Sequence, residues 1–112
     1  MLLVDDDASL RLLCRVNLEL EGFEVREAAT VREAEASVSE ARPDVVLLDV
    51  HLAGEETSEL LEHLRADGIP VALVTGSVDL AEHASRADAA LPKPFQPSAL
   101  VEVVRRLARV QA

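Results

Sequence analysis

Short apolar runs alternate along this chain with longer stretches in which apolar residues recur every three or four positions. Leu2 to Val4, Val45 to Leu48 and Val71 to Val74 are rich in Val or Leu and carry no polar alternation. That pattern predicts strands covered on both faces. A weaker strand is expected at Phe23 to Arg26 and a short one near Ala89 to Leu91. Between them the spacing turns helical. Leu10, Leu13, Cys14, Asn17 and Leu20 are expected to share one face of a first helix, and Val31, Ala34, Glu35 and Val38 one face of a second. Leu60, Leu61 and Leu64 anchor a third. Leu100, Val103, Val104 and Leu107 form the stripe of a last one, opened by Pro97 and Ser98. Val78 to Ala87 reads as a short, weakly patterned helix.

Turn residues punctuate the scheme where a βα repeat needs them. Gly22 follows the first helix, Arg42-Pro43 precedes the third strand, and Gly68-Ile69-Pro70 precedes the fourth. Five βα units without a linker or internal repeat predict one α/β domain over residues 1–112: a five-stranded parallel sheet with helices on both faces. Such sheets bind ligands beyond the carboxyl ends of their strands, at a switch point in strand order. The residues that follow each strand are therefore the ones to examine.

Composition narrows the picture. Aromatic residues are 2% of the chain, Phe23 and Phe95, so the core has to be built from Leu, Val and Ala. A formal net charge of −10 makes direct binding to nucleic acid or to an anionic membrane a poor expectation. The single cysteine, Cys14, lies within a helical apolar pattern and reads as a core residue rather than a reactive thiol. No stretch resembles a signal peptide or a membrane span, and a cytoplasmic location is expected.

Four of the five predicted strands end in a polar group on one edge of the sheet. Strand one runs into Asp5, Asp6 and Asp7, strand three into Asp49, strand four into Thr75, and strand five into Lys93-Pro94. Singly, each has an ordinary structural reading, and Asp7 suits the N-cap of the first helix. Together they form a set with one chemical purpose. Carboxylates about 4 Å apart repel by about 4 kcal/mol at an effective dielectric near 20, so a cation is needed to hold them ionised. Oxygen ligands suit a hard ion, and Mg²⁺ also engages phosphate. Phosphoryl transfer to a carboxylate needs such a metal, with a hydroxyl and a cation for the remaining phosphoryl oxygens. Asp49 is the candidate nucleophile, Thr75 the hydroxyl and Lys93 the cation. In a 2-1-3-4-5 strand order, strand five lies roughly 10 Å from strand three, a gap that only a long side chain spans.

Four segments resemble the receiver domain of bacterial two-component response regulators. They are Leu2-Leu3-Val4-Asp5-Asp6-Asp7, Pro43-Asp44-Val45-Val46-Leu47-Leu48-Asp49, Val74-Thr75-Gly76 and Leu91-Pro92-Lys93-Pro94-Phe95. Their order and placement on strand ends make the resemblance specific, and it covers essentially the whole chain. It implies a flavodoxin-like fold of order 2-1-3-4-5 and a Mg²⁺ site made by Asp5, Asp6, Asp49 and the backbone carbonyl of His51. It implies that Asp49 accepts a phosphoryl group from a histidine kinase or a histidine phosphotransfer protein. Thr75 and Lys93 match the family's switch hydroxyl and lysine, and the Lys93-Pro94 bond is expected to be cis.

The chain departs from the common pattern in four places. Ala90 stands where an aromatic is usual, three residues before the lysine, and Gly76 where an alanine is usual. Ala53 replaces a proline in the loop after Asp49. Thr75 and Lys93 are 93 − 75 = 18 positions apart, about four residues or one helical turn short. These features resemble a subgroup of short, often stand-alone receivers, and they bear on signal output rather than on the acceptor chemistry. Ser77 occupies a position that tunes phosphate lifetime in the family. His63 and His83 read as helix-surface residues, Glu55-Glu56 as the first turn of a helix, and Arg105, Arg106 and Arg109 as a solvated face. Two other readings compete. One is an interaction module that keeps the fold without phosphorylation. The other is a haloacid-dehalogenase-type phosphatase, for which Asp5 and Asp7 have the right spacing but Ser9 stands where a Thr is needed.

Overall fold

The computed structural model describes residues 1–52, 54–76 and 86–110, with residues 109 and 110 described by their backbone alone. Ala53, Ser77, His83, the Arg109 side chain and most of the expected helix at Val78 to Ala87 lie outside the described residues. Five strands form a parallel sheet: β1 (Leu2–Val4), β2 (Arg26–Ala28), β3 (Val46–Asp49), β6 (Val71–Thr75) and β7 (Ala89–Pro92), in the order β2-β1-β3-β6-β7. A two-stranded antiparallel ribbon, β4 (His51–Leu52) and β5 (Glu55–Glu56), follows β3. The helices are α1 (Ala8–Leu20), α2 (Val31–Glu40), α3 (Ser58–Ala66) and α4 (Pro97–Val110). Counted by sheet strands alone, the order is the expected 2-1-3-4-5.

Alternation along each strand divides the core between the two faces. Leu2, Val4, Val46 and Leu48 pack with Ala34 of α2 and Leu60 and Leu64 of α3. Leu3, Leu47 and Val74 pack on the other face with Cys14 and Leu18 of α1 and Val104 of α4. Because both faces are covered, the strands read as continuous apolar runs. Among the described residues, no helix is long and apolar enough to cross a membrane.

Four expectations shift. The second strand begins at Arg26 because Phe23 belongs to the end of α1. Its N–H reaches the Leu18 carbonyl at 3.1 Å while Gly22, at φ 94°, donates to Glu19. This paired closure needs a left-handed residue and brings an apolar side chain back onto the helix. Gly68 and Ile69 close α3 in the same way, on Arg65 and Leu64. On α1 the buried stripe is Cys14 and Leu18, with Leu10 partly covered; Leu13 and Leu20 are exposed, together with Leu12 and Val16. The helix carries apolar residues on two faces, and spacing alone does not say which one meets the sheet. On α2, Glu35 is exposed while Ala34 faces the core. Glu55 and Glu56, read as a helix start, form β5, and α3 begins at Ser58.

Candidate functional site

The parallel sheet carries Asp5, Asp49, Thr75 and Lys93 to one edge because each stands at or just beyond the carboxyl end of its strand. Asp5, Asp49 and Thr75 are buried, with 4%, 7% and 2% of their surface exposed. Asp6 is exposed. One oxygen each from Asp5, Asp6 and Asp49 lies within 4.8 Å of the others, the one such cluster among the described residues. Lys93 closes the group. Its Nζ donates to Asp49 Oδ2 at 3.1 Å and to Asp5 Oδ2 at 3.4 Å. The Lys93 N–H donates to the Thr75 carbonyl at 2.8 Å, which ties the end of β7 to the end of β6. The Lys93-Pro94 peptide is cis.

Burial is the largest influence on Asp5 and raises its carboxyl above the ordinary range. The neighbouring Asp49 charge adds to this, while the Asp7 N–H and Lys93 oppose it. For Lys93, burial pulls downward, but the hydrogen bonds and charges of Asp49 and Asp5 outweigh it, and the ammonium is held above its ordinary value. A lysine is thus kept charged beside Asp5, which burial makes costly to ionise. Three converging carboxylates with one ammonium leave an excess of negative charge and only oxygen donors, a donor set that fits a hard divalent cation.

Two backbone turns hold the acids. After β1, Asp5 Oδ1 accepts the Asp7 N–H at 2.9 Å, and Asp7 Oδ1 caps α1 by accepting from Ser9 at 2.9 Å and Leu10 at 3.2 Å. Asp7 is therefore spent on the helix, as its position predicts. After β3, Asp49 Oδ1 accepts the His51 N–H at 3.2 Å. His51 lies in β4 with its residue surface exposed, at the rim of the site.

Three residues escaped the sequence reading. Arg11 donates from Nη1 to the Asp5 carbonyl at 2.6 Å and from Nε to Glu27 at 3.0 Å, bracing the first turn from β2. Glu27 also accepts from Arg15 at 2.6 Å. Thr57, 3% exposed, turns its hydroxyl onto the carbonyls of Asp49 and Val50. An Arg on a helix and a Thr ahead of one look like surface and cap residues. The one available signal for Arg11 and Thr57 is that each lies within two helical turns or one short loop of an acid of the cluster; Glu27 carries no such signal.

Known proteins share this architecture. The family model described as the response regulator receiver domain matches residues 1–105. The DNA-binding response regulator MtrA of Mycolicibacterium paratuberculosis is 39% identical over 110 residues, covering 94% of this chain and 49% of that protein. The chain thus spans about half the length of this curated relative. The crystal structure of the receiver domain of NtrX from Brucella abortus superposes with a TM-score of 0.89 at 28% identity, over 96% of this chain and 97% of that one. A CheY-like response regulator receiver domain protein from Methanospirillum hungatei JF-1 gives a TM-score of 0.85 at 34% identity, over 98% and 93%. Sequence, sheet order and strand-end chemistry agree: the chain belongs to the response regulator receiver domain family.

Proposed function

We propose that residues 1–112 form one receiver domain that accepts a phosphoryl group on Asp49 from a phosphohistidine donor, a histidine kinase or a histidine phosphotransfer protein. The observation that carries this reading is the meeting of the Asp5, Asp6 and Asp49 carboxylates with the Lys93 ammonium at one sheet edge. In the transfer, an Asp49 carboxylate oxygen forms the new bond to phosphorus. The bond from phosphorus to the donor imidazole nitrogen breaks, and that nitrogen keeps the electron pair. Lys93 and the Thr75 hydroxyl hold phosphoryl oxygens. Asp5, Asp6, Asp49 and the His51 carbonyl are the groups that would hold Mg²⁺, which supplies the charge that offsets the phosphoryl oxygens. The chain turns over no substrate beyond its own loading and hydrolysis of the acyl phosphate.

The exposed Leu12, Leu13 and Val16 on α1, the helix that leaves the Asp5–Asp7 turn, offer the donor protein an apolar face beside the acceptor. A phosphohistidine donor of this kind places the domain in the cytoplasm. The charge of −10 disfavours direct contact with nucleic acid by this domain. The phosphatase reading loses its second acid, because the Asp7 carboxylate caps α1.

Acetyl phosphate or beryllofluoride with Mg²⁺ tests the proposal. A Mg²⁺-dependent adduct on Asp49, seen by intact mass and lost in Asp49→Asn, is the expected result. No adduct on the wild-type chain would leave an interaction module with a receiver fold.

A further inference from the structure

Thr57 stands at the start of α3, where a threonine normally turns its side chain onto the N–H groups of the helix's first turn. Its hydroxyl makes no such bond. It points backwards, donating to the Val50 carbonyl at 2.9 Å and sharing the proton with the Asp49 carbonyl at 3.1 Å, in a buried position closed to competing water. The peptide joining Val50 to His51 is then held at both ends. Thr57 takes its oxygen, and Asp49 Oδ1 takes its N–H at 3.2 Å. Since the peptide is planar, fixing its oxygen fixes the direction of its N–H, and with it the place of Asp49 Oδ1.

We propose that Thr57 is a positioning residue for the acceptor turn. Its hydroxyl sets the plane of the Val50–His51 peptide and so aims the Asp49 carboxylate and the His51 backbone at the cation and phosphoryl group. The inference rests on Asp49 being the acceptor and deepens that reading. It assigns a role to a side chain eight residues downstream that touches neither cation nor phosphoryl group. Groups that orient a metal ligand from outside its own shell typically change metal affinity by about 10- to 100-fold when removed.

The experiment compares the wild-type chain with Thr57→Val, which keeps the shape and removes the hydroxyl, and Thr57→Ser, which keeps the hydroxyl. Amide exchange by NMR follows two reporters: His51, whose N–H depends on the proposed aim, and Leu61, whose N–H bonds the Thr57 backbone carbonyl at 2.9 Å. Calorimetry follows Mg²⁺ binding. In Thr57→Val the His51 amide is expected to exchange about tenfold faster relative to Leu61, with Mg²⁺ bound about tenfold more weakly. Thr57→Ser should return both to within about twofold of wild type. Should Thr57→Val not fold, Thr57→Ala carries the same expectation. An unchanged His51-to-Leu61 ratio with unchanged Mg²⁺ affinity overturns the proposal and leaves Thr57 a core filler. A wild-type chain that neither binds Mg²⁺ nor is phosphorylated overturns the acceptor reading instead.

Discussion

Two connections bring acids to the same point by different means. The turn from β1 to α1 does so within three residues, and its acids are their own scaffold. Asp5 takes the Asp7 N–H, and Asp7 takes the first N–H groups of α1. The connection from β3 to α3 is longer and includes the β4-β5 ribbon. There Asp49 takes one loop N–H, and a hydroxyl from the far end takes the carbonyls. The acids of the first turn are held by bonds two or three residues long, with Arg11 on its Asp5 carbonyl. The second turn has one two-residue bond, at Asp49, and contacts across seven and eight residues from Thr57. Lys93 bridges the two. A turn that supports itself locally should tolerate loss of one bond in stability terms, whereas a turn held from a distance should lose aim first.

The largest effect tests the acceptor itself. Asp49→Asn should abolish the acyl phosphate. In Mg²⁺-free buffer it should also raise the melting temperature, since one of three converging charges disappears, by about 4 °C for each 1 kcal/mol of repulsion relieved. A fall in melting temperature would mean that the lost contact with Lys93 outweighs the relieved repulsion. Next comes Lys93→Met, which removes the bridge between the two turns. Loss of one preorganised donor to developing charge typically costs about 10²–10³ in rate. Transfer from acetyl phosphate should slow accordingly, and a rate within tenfold of wild type would remove the ammonium from the chemistry.

A third pair separates stability from aim. Asp7→Ala removes the α1 cap and should cost about 1 kcal/mol, seen as a melting temperature about 4 °C lower, with Mg²⁺ affinity little changed. Thr57→Val should show the opposite balance. If both variants lose stability and affinity in the same proportion, the two connections are not held differently.

The same contrast explains what could be read from the sequence. Strands buried on both faces announce themselves as Val- and Leu-rich runs, and the positions of Asp5, Asp6, Asp49, Thr75 and Lys93 follow from where the strands stop, whereas the strand order is implied by the family resemblance and not by the runs. Asp7 was legible because capping is a local rule. Arg11, Glu27 and Thr57 were not, since their partners lie on other elements and no spacing rule reaches across them. The ribbon was hidden for a related reason: Glu55 and Glu56 suit a helix start on charge alone, and their pairing with His51 and Leu52 depends on where β3 delivers the chain. On α1 two apolar stripes compete, and only the sheet chooses Cys14 and Leu18.

The smallest effect lies at the outer brace of the first turn. Arg15 and Arg11 hold the Glu27 carboxyl below its ordinary value, the Arg15 hydrogen bond acting most strongly. A depressed acid contributes stability that is present above its unfolded value, 4.5 for this group, and that fades as pH falls through the lower folded value. The urea midpoint of wild type should therefore exceed that of Glu27→Gln near neutrality, and the gap should close as pH falls below the ordinary carboxylate range. Asp5, shifted the other way by burial, is present in both proteins and cancels from the difference. Arg11 also holds the Asp5 carbonyl, so loosening it from Glu27 reaches the acceptor site through the backbone of the first turn. A gap independent of pH would show that Glu27 braces that turn by packing rather than by its charge.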